Sequence, residues 1–278
     1  METGARRMYG NVCVTNTNCE HKSRLGGILY FTSNFVMKNY LLLLFFTIFS
    51  AGAVGQKIIK DLFPKETFLP DLGEKRQSEL YRLQYLSAKE TLTPKEKKEL
   101  DKLYEKHGEV VTSVWEIIPA ECSWYCGGGN YAVKASSSLP GTKGFNYAAR
   151  EANDLNYKTA WVEGRKDEGI GEYLDYYFKN RSPRITSVII SNGYIKTDEA
   201  WSNNNRVKKL KMYVNGQPFA MLNLEDSRSD QVFETGIVEH NPDGTDLVLR
   251  FEIVEVYKGS KYNDTAITEI YFDGIDVH

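Results

Sequence analysis

The chain has 278 residues, of which 41% are hydrophobic and 13% aromatic. That is enough apolar material for a packed core, and it excludes a disordered chain. Basic and acidic residues nearly balance, 35 against 37, so the basic footprint that phosphate-backbone contact requires is missing and nucleic acid is excluded as a partner. The aromatics are mostly tyrosine, 18 against four tryptophans, which favours half-buried sheet faces and wet binding surfaces.

Residues 1–36 carry no periodic pattern and are expected to be a leader or an over-extended start. Met37-Lys38 then precedes an apolar run, Tyr40 to Phe49, and small residues from Ser50 to Gln56. The run is too short to span a bilayer, so 37–56 is expected to be a signal peptide with cleavage near Ala53 or Gly55; a buried core strand is the rival reading. Its removal leaves 30 of the 35 basic and 35 of the 37 acidic residues, net -5. No cysteine follows the small residues, so a secreted or periplasmic product is expected, with no lipid anchor and no mature transmembrane segment. Cys13 and Cys19 would be lost with the leader, leaving Cys122 and Cys126 in an oxidising compartment, where a disulfide is expected. That bond requires a Cα separation below about 7 Å. A zinc pair is the alternative, without another cysteine or a paired histidine nearby.

Residues 57–109 predict a helical spacer. Leu80, Leu83 and Leu86 form one stripe, and Leu100, Leu103, Tyr104 and His107 another. Thr93-Pro94-Lys95-Glu96 has the pattern of a helix start and Gly108 that of a stop. From residue 110 to 278 the period changes to two. Strands are expected at Val114 to Ile118, Tyr131 to Ser136, Tyr173 to Phe178, Ile185 to Ser191, Val207 to Val214, Phe219 to Leu224, Gln231 to Glu234, Leu247 to Val256 and Ile267 to Phe272. Asn215-Gly216, Asp243-Gly244 and Asp273-Gly274 mark turns. Many short strands without intervening helices predict a mainly β fold, an antiparallel β-sandwich or jelly roll. Gly127-Gly128-Gly129 lacks the lysine-serine end of a phosphate loop and is a loop of another kind.

Ala152 to Trp161, with Asp154, Asn156 and Thr159, resembles the calcium loop of the discoidin-like (coagulation factor V/VIII C-type), galactose-binding-like families. Glu269 resembles the glutamate that returns from their last strand. Hard oxygens at these positions suit a structural Ca2+, although Leu155 stands where the family usually has glycine. Trp161 to Gly164, Gly169 to Glu172, Asn192 to Tyr194, Asn205 to Leu210 and Tyr257 to Ile267, in that order, are similar to the discoidin-type domain found with bacterial NAD glycohydrolase toxins and credited with translocation. The resemblance runs from about Cys122 to His278 and implies a galactose-binding-like sandwich. The toxin's catalytic domain is absent from it, so NAD cleavage and translocation are not implied.

Three loop segments, Trp161 to Glu172, Asn192 to Arg206 and Tyr257 to Thr265, are expected at one end of the sandwich, where binding commonly sits. Trp161 and Tyr194 offer flat platforms. Glu163, Asn192, Asn205, Arg206, Tyr257, Lys261 and Asp264 complete the candidate set for a glycan or other small polar ligand. The alternative places Trp161 in the core and uses Arg206 and Asp264 to pin loops. No nucleophile-base constellation is visible around His107, His240 or His278, so a non-catalytic binding module is expected. An envelope or adhesion protein contacting a surface protein through the helical hairpin is a second reading. A glycan hydrolase using Glu163, Glu172 and Asp264 is a third.

Overall fold

The structure is a computed structural model that describes residues 59–108, 113–118 and 123–277. The leader and signal expected over 1–36 and 37–56 lie outside the described residues. So does Cys122, and with it the expected bond to Cys126.

Eleven strands form the body: β1 Lys60–Leu62, β2 Glu66–Phe68, β3 Ala132–Ala135, β4 Trp161–Val162, β5 Tyr173–Phe178, β6 Ile185–Asn192, β7 Asn205–Val214, β8 Gln217–Asn223, β9 Asp230–Val238, β10 Leu247–Tyr257 and β11 Thr265–Gly274. They pair in the order β2-β9-β6-β11-β7-β10-β5-β3, with β8 on β7, β1 on β8 and β4 on β11. Pairing is antiparallel except where β11 meets β7 over Thr265 and Ala266, and where β1 meets β8. The result is an antiparallel β-sandwich of the expected class.

Period-two patterning explains the core. Leu247, Leu249, Phe251 and Ile253 of β10 all point inward, as do Val188 and Ile190 of β6 and Ile270 and Phe272 of β11. Phe272 is met by the edges or tilted rings of Tyr176, Phe178 and Phe251, with centroids 5.0 to 6.3 Å away. Each such side chain contributes about 1.5–3 kcal/mol by leaving water. Asn215-Gly216 turns β7 into β8 with both φ values positive, 51° and 76°, as a two-residue hairpin turn requires.

The helical hairpin forms as expected, with α1 at Glu74–Ser87 and α2 at Pro94–His107. Glu96 N donates to Thr93 Oγ1 at 3.3 Å and Thr93 N to Glu96 Oε2 at 2.9 Å, a reciprocal cap worth about 1 kcal/mol. Leu80, Leu83, Leu86, Leu100 and Val114 make a small core of their own.

Four expectations need correction. The spacer over 57–109 is not wholly helical, because β1 and β2 cover the edges of β8 and β9 and so belong to the sandwich that was expected to begin at residue 110; a bare edge is a template for unwanted pairing. Val114 to Ile118 is no strand: its single bridge, Glu116 to Asn156, lies in a turn. Asp273-Gly274 continues β11, and its glycine is required because a Cβ there would meet Arg184 O at 1.9 Å. A third helix, α3 at Asp198–Asn203, capped by Thr197, was not anticipated.

Candidate functional site

Four chain segments converge on an open groove of about 420 Å3. Tyr147 comes from the approach to a 3-10 turn at Ala149–Ala152, Tyr194 from just beyond β6, Glu199, Asn203 and Asn204 from α3 and its end, and Tyr262 and Asp264 from the entry to β11. Backbone bonds hold them in place. Tyr262 N donates to Asn203 O at 2.8 Å and Asn205 N to Asp264 O at 2.9 Å. Gly259 permits this close approach, since a Cβ there would lie 2.4 Å from Asn203 O.

The groove has an aromatic wall and acidic, amide-bearing flanks. Burial, then the charge of Asp264 and the ring of Tyr262, push the Tyr147 phenol up. Burial and Tyr147 do the same to Tyr194, whose hydroxyl donates to Lys158 O at 3.2 Å. Both phenols therefore keep their protons at neutral pH and remain donors. The Asp264 side chain takes no hydrogen bond or salt bridge among the described residues, and Glu199 is solvent-exposed. Tyrosine faces suit the apolar faces of a sugar ring, and carboxylate and amide groups suit its hydroxyls. No lysine, arginine or histidine is part of this lining among the described residues.

Of the expected ligand set, only Tyr194 and Asp264 line this groove. Trp161 is fully buried, its Nε1 donating to Ser137 O at 2.9 Å. Glu163 is buried and accepts from Arg165 N at 2.7 Å and Thr265 N at 3.2 Å. Asn192 imitates a peptide group, bonding Val207 N and O at 2.9 and 2.7 Å. Asn205 ties Gly259 N and Asn263 O. Arg206 grips Asp226 with two bonds, at 3.0 and 2.8 Å, and also donates to Asn204 O and Lys258 O. These five are corrected from ligand contacts to loop fasteners, because a loop leaving a sheet must satisfy its backbone groups internally before it can present a surface. Tyr257 lies away from the groove, its hydroxyl donating to Leu224 O at 3.0 Å. Lys261 is exposed and sits over the Tyr262 ring at 4.9 Å.

Sequence reasoning missed Tyr147, Tyr262, Glu199, Asn203 and Asn204. Tyr262 stood inside a quoted motif, flanked by polar residues as exposed aromatics usually are. Tyr147 and α3 gave no periodic signal. Of the carboxylates in the hydrolase reading, Glu163 is engaged as above and Glu172 accepts from Ser136 and Ser137, while the nearby charges of Asp264 and Glu172 add to burial in raising the Glu163 carboxyl.

The expected calcium residues do come together. Glu269 projects from β11 beneath the 153–159 loop, is fully buried, and accepts from Leu155 N at 2.8 Å through Oε2. Its Oε1 has no hydrogen-bond partner. Burial first, then the neighbouring charge of Asp154, hold the Glu269 carboxyl well above the usual range. Thr159 Oγ1 donates to both Asp154 oxygens, at 3.0 and 2.8 Å, and Asn156 Oδ1 accepts from Lys158 N at 2.9 Å. Leu155 takes the left-handed φ of 55° that the family's glycine would take, at a cost of about 1–2 kcal/mol. Two carboxylates converging with an orphaned buried oxygen and a nearby hydroxyl fit a hard cation. Among the described residues no group of three or more His, Cys, Asp or Glu forms a metal set, so amide, hydroxyl or backbone oxygens would complete the shell. The next carboxylate on the same sheet face, Asp230, is fastened differently: Tyr157 and Tyr271 donate to it at 2.6 and 3.0 Å, and Ser191 also donates.

Residues 124–273, more than half of the chain, match the family described as NAD glycohydrolase translocation F5/8 type C domain. No curated protein matches the sequence. Similar solved structures include CpGH89CBM32-5 from Clostridium perfringens in complex with GalNAc-β-1,3-galactose, at 15% identity over 51% of this chain and 94% of that one, TM-score 0.35. The family 32 carbohydrate-binding module from Streptococcus pneumoniae EndoD is similar at 9% identity over 52% and 97%, TM-score 0.38.

Proposed function

The chain belongs to the NAD glycohydrolase translocation F5/8 type C domain family, and on that premise we propose that it is an exported, non-catalytic module that binds a neutral glycan in the groove of Tyr147, Tyr194 and Tyr262. The observation that carries this reading is the convergence of three tyrosines with the unpaired carboxylate of Asp264 in one open hollow flanked by Asn203 and Asn204. Export rests on the 37–56 pattern; among the described residues no helix is long and apolar enough to cross a membrane.

Calcium takes a structural part in this proposal. Asp154, Asn156, Thr159 and Glu269 would hold the ion, which neutralises the buried Glu269 charge and ties the loop before β4 to β11. The Tyr194 hydroxyl anchors on Lys158 O in that same loop, so ion binding supports the groove through loop order. A glycan array on secreted protein tests the function. Binding to neutral glycans that Tyr262→Ala weakens is expected; silence across the array for the folded protein overturns the reading.

A further inference from the structure

A second hollow, about 810 Å3 in volume, lies on the other side of the strap Tyr194 to Asp198. Thr197 lines both hollows, so the two are neighbours separated by one residue. The strap supplies Ile195, Lys196 and Asp198 to the second hollow, and the opposite wall comes from the start of α1 and the segment before it, with Leu69, Leu72 and Trp115. That wall lies outside the span, 124–273, that matches the family.

We propose that this hollow is a second subsite for the same glycan, taking the sugar units beyond the one held by the three tyrosines. The inference rests on the proposed function. Each sugar hydroxyl both donates and accepts, and this lining offers both kinds of partner: Lys196 and Arg228 as donors, Asp198 and Glu74 as acceptors. Trp115 and the exposed Leu69 supply apolar area for the ring faces. Arg228 Nε is a buried donor without a hydrogen-bond partner, although the same guanidinium reaches Asp198 and Ile195 O. The volume falls within the range of about 300–1,000 Å3 usual for ligand sites.

The test titrates a graded set of neutral glycans, from a monosaccharide to a hexasaccharide sharing one terminal sugar and chosen from array hits, into the full secreted protein. Oligosaccharides should bind at least about tenfold tighter than the monosaccharide. Trp115→Ala and, separately, Lys196→Ala should remove that advantage while leaving monosaccharide affinity unchanged. Trp115 also packs on the helical hairpin, so Lys196→Ala, at a half-exposed side chain, keeps the test sound if Trp115→Ala misfolds. Equal affinity for short and long glycans, or an advantage that survives Lys196→Ala in the folded protein, overturns the second subsite alone. Absence of any glycan binding by the wild-type protein overturns the proposed function instead.

Discussion

Replacing Glu269 by glutamine separates the two states of the buried carboxylate. Glu269 is fully buried, accepts from Leu155 N, has the backbone N–H groups of Asp154 and Asn156 close by, and lies near the Asp154 charge. Without calcium, an ionised carboxylate there is a cost, because burial and a like charge both oppose it. Glutamine keeps the shape, still accepts from Leu155 N, and removes the charge; in chelator Glu269→Gln should be at least as stable as wild type. With calcium the order reverses. A ligand at a hundredfold its dissociation constant stabilises the folded state by about 2.7 kcal/mol. For a domain of this size each kcal/mol moves the melting temperature by about 2–4 °C, so wild type should gain about 5–11 °C and Glu269→Gln almost nothing. Differential scanning calorimetry with and without chelator measures both. An unchanged wild-type melting temperature, or an equal gain in the variant, would refute the assignment of Glu269 to the ion.

Without calcium, stability should fall as pH rises above about 4.5, the ordinary carboxylate value for Glu269. Burial raises the folded-state values of Glu269 and Asp230, so over that window the folded protein keeps protons that the unfolded chain has released; saturating calcium should flatten the Glu269 part, and urea melts from pH 4 to 8 show whether it does. Sialylated versions of a bound neutral glycan should bind about tenfold more weakly or worse, because Asp264 and Glu199 repel them, and Asp264→Asn should narrow the gap in a paired titration. Mass spectrometry of a non-reduced digest should find Cys122 and Cys126 joined; two alkylated thiols would count against the bond.

How much of this was legible in the sequence depended on whether a signal was local. Alternation in Lys209 to Val214, the Asn215-Gly216 turn and the Thr93 cap each report on their neighbours, and each has the expected structure. β1 and β2 were illegible because three-residue strands, exposed on nearly every side chain, carry no period; their pairing partners lie some 160 residues away in sequence. The 154–159 loop and Glu269 could be paired across more than a hundred residues by their resemblance to a known pattern, and the structure bonds Leu155 N to Glu269. The groove was harder to foresee. Asn192, Asn205 and Arg206 have the composition of a binding loop, yet their polar atoms are spent on backbone groups of adjacent strands and turns. Polar residues at strand ends serve the fold first, and residues beyond them, such as Tyr194, Tyr262 and Asp264, are left to line the groove.

The most direct measurement is isothermal titration of the strongest neutral array hit into wild type and into Tyr262→Ala, in saturating calcium. Tyr262 is about 43% exposed, so its truncation should leave the fold intact while removing one wall of the groove. Saturable binding by wild type, weakened about tenfold or more in the variant with an unchanged melting temperature, is the predicted result. Equal affinity in the two proteins would place any glycan site elsewhere and contradict the groove.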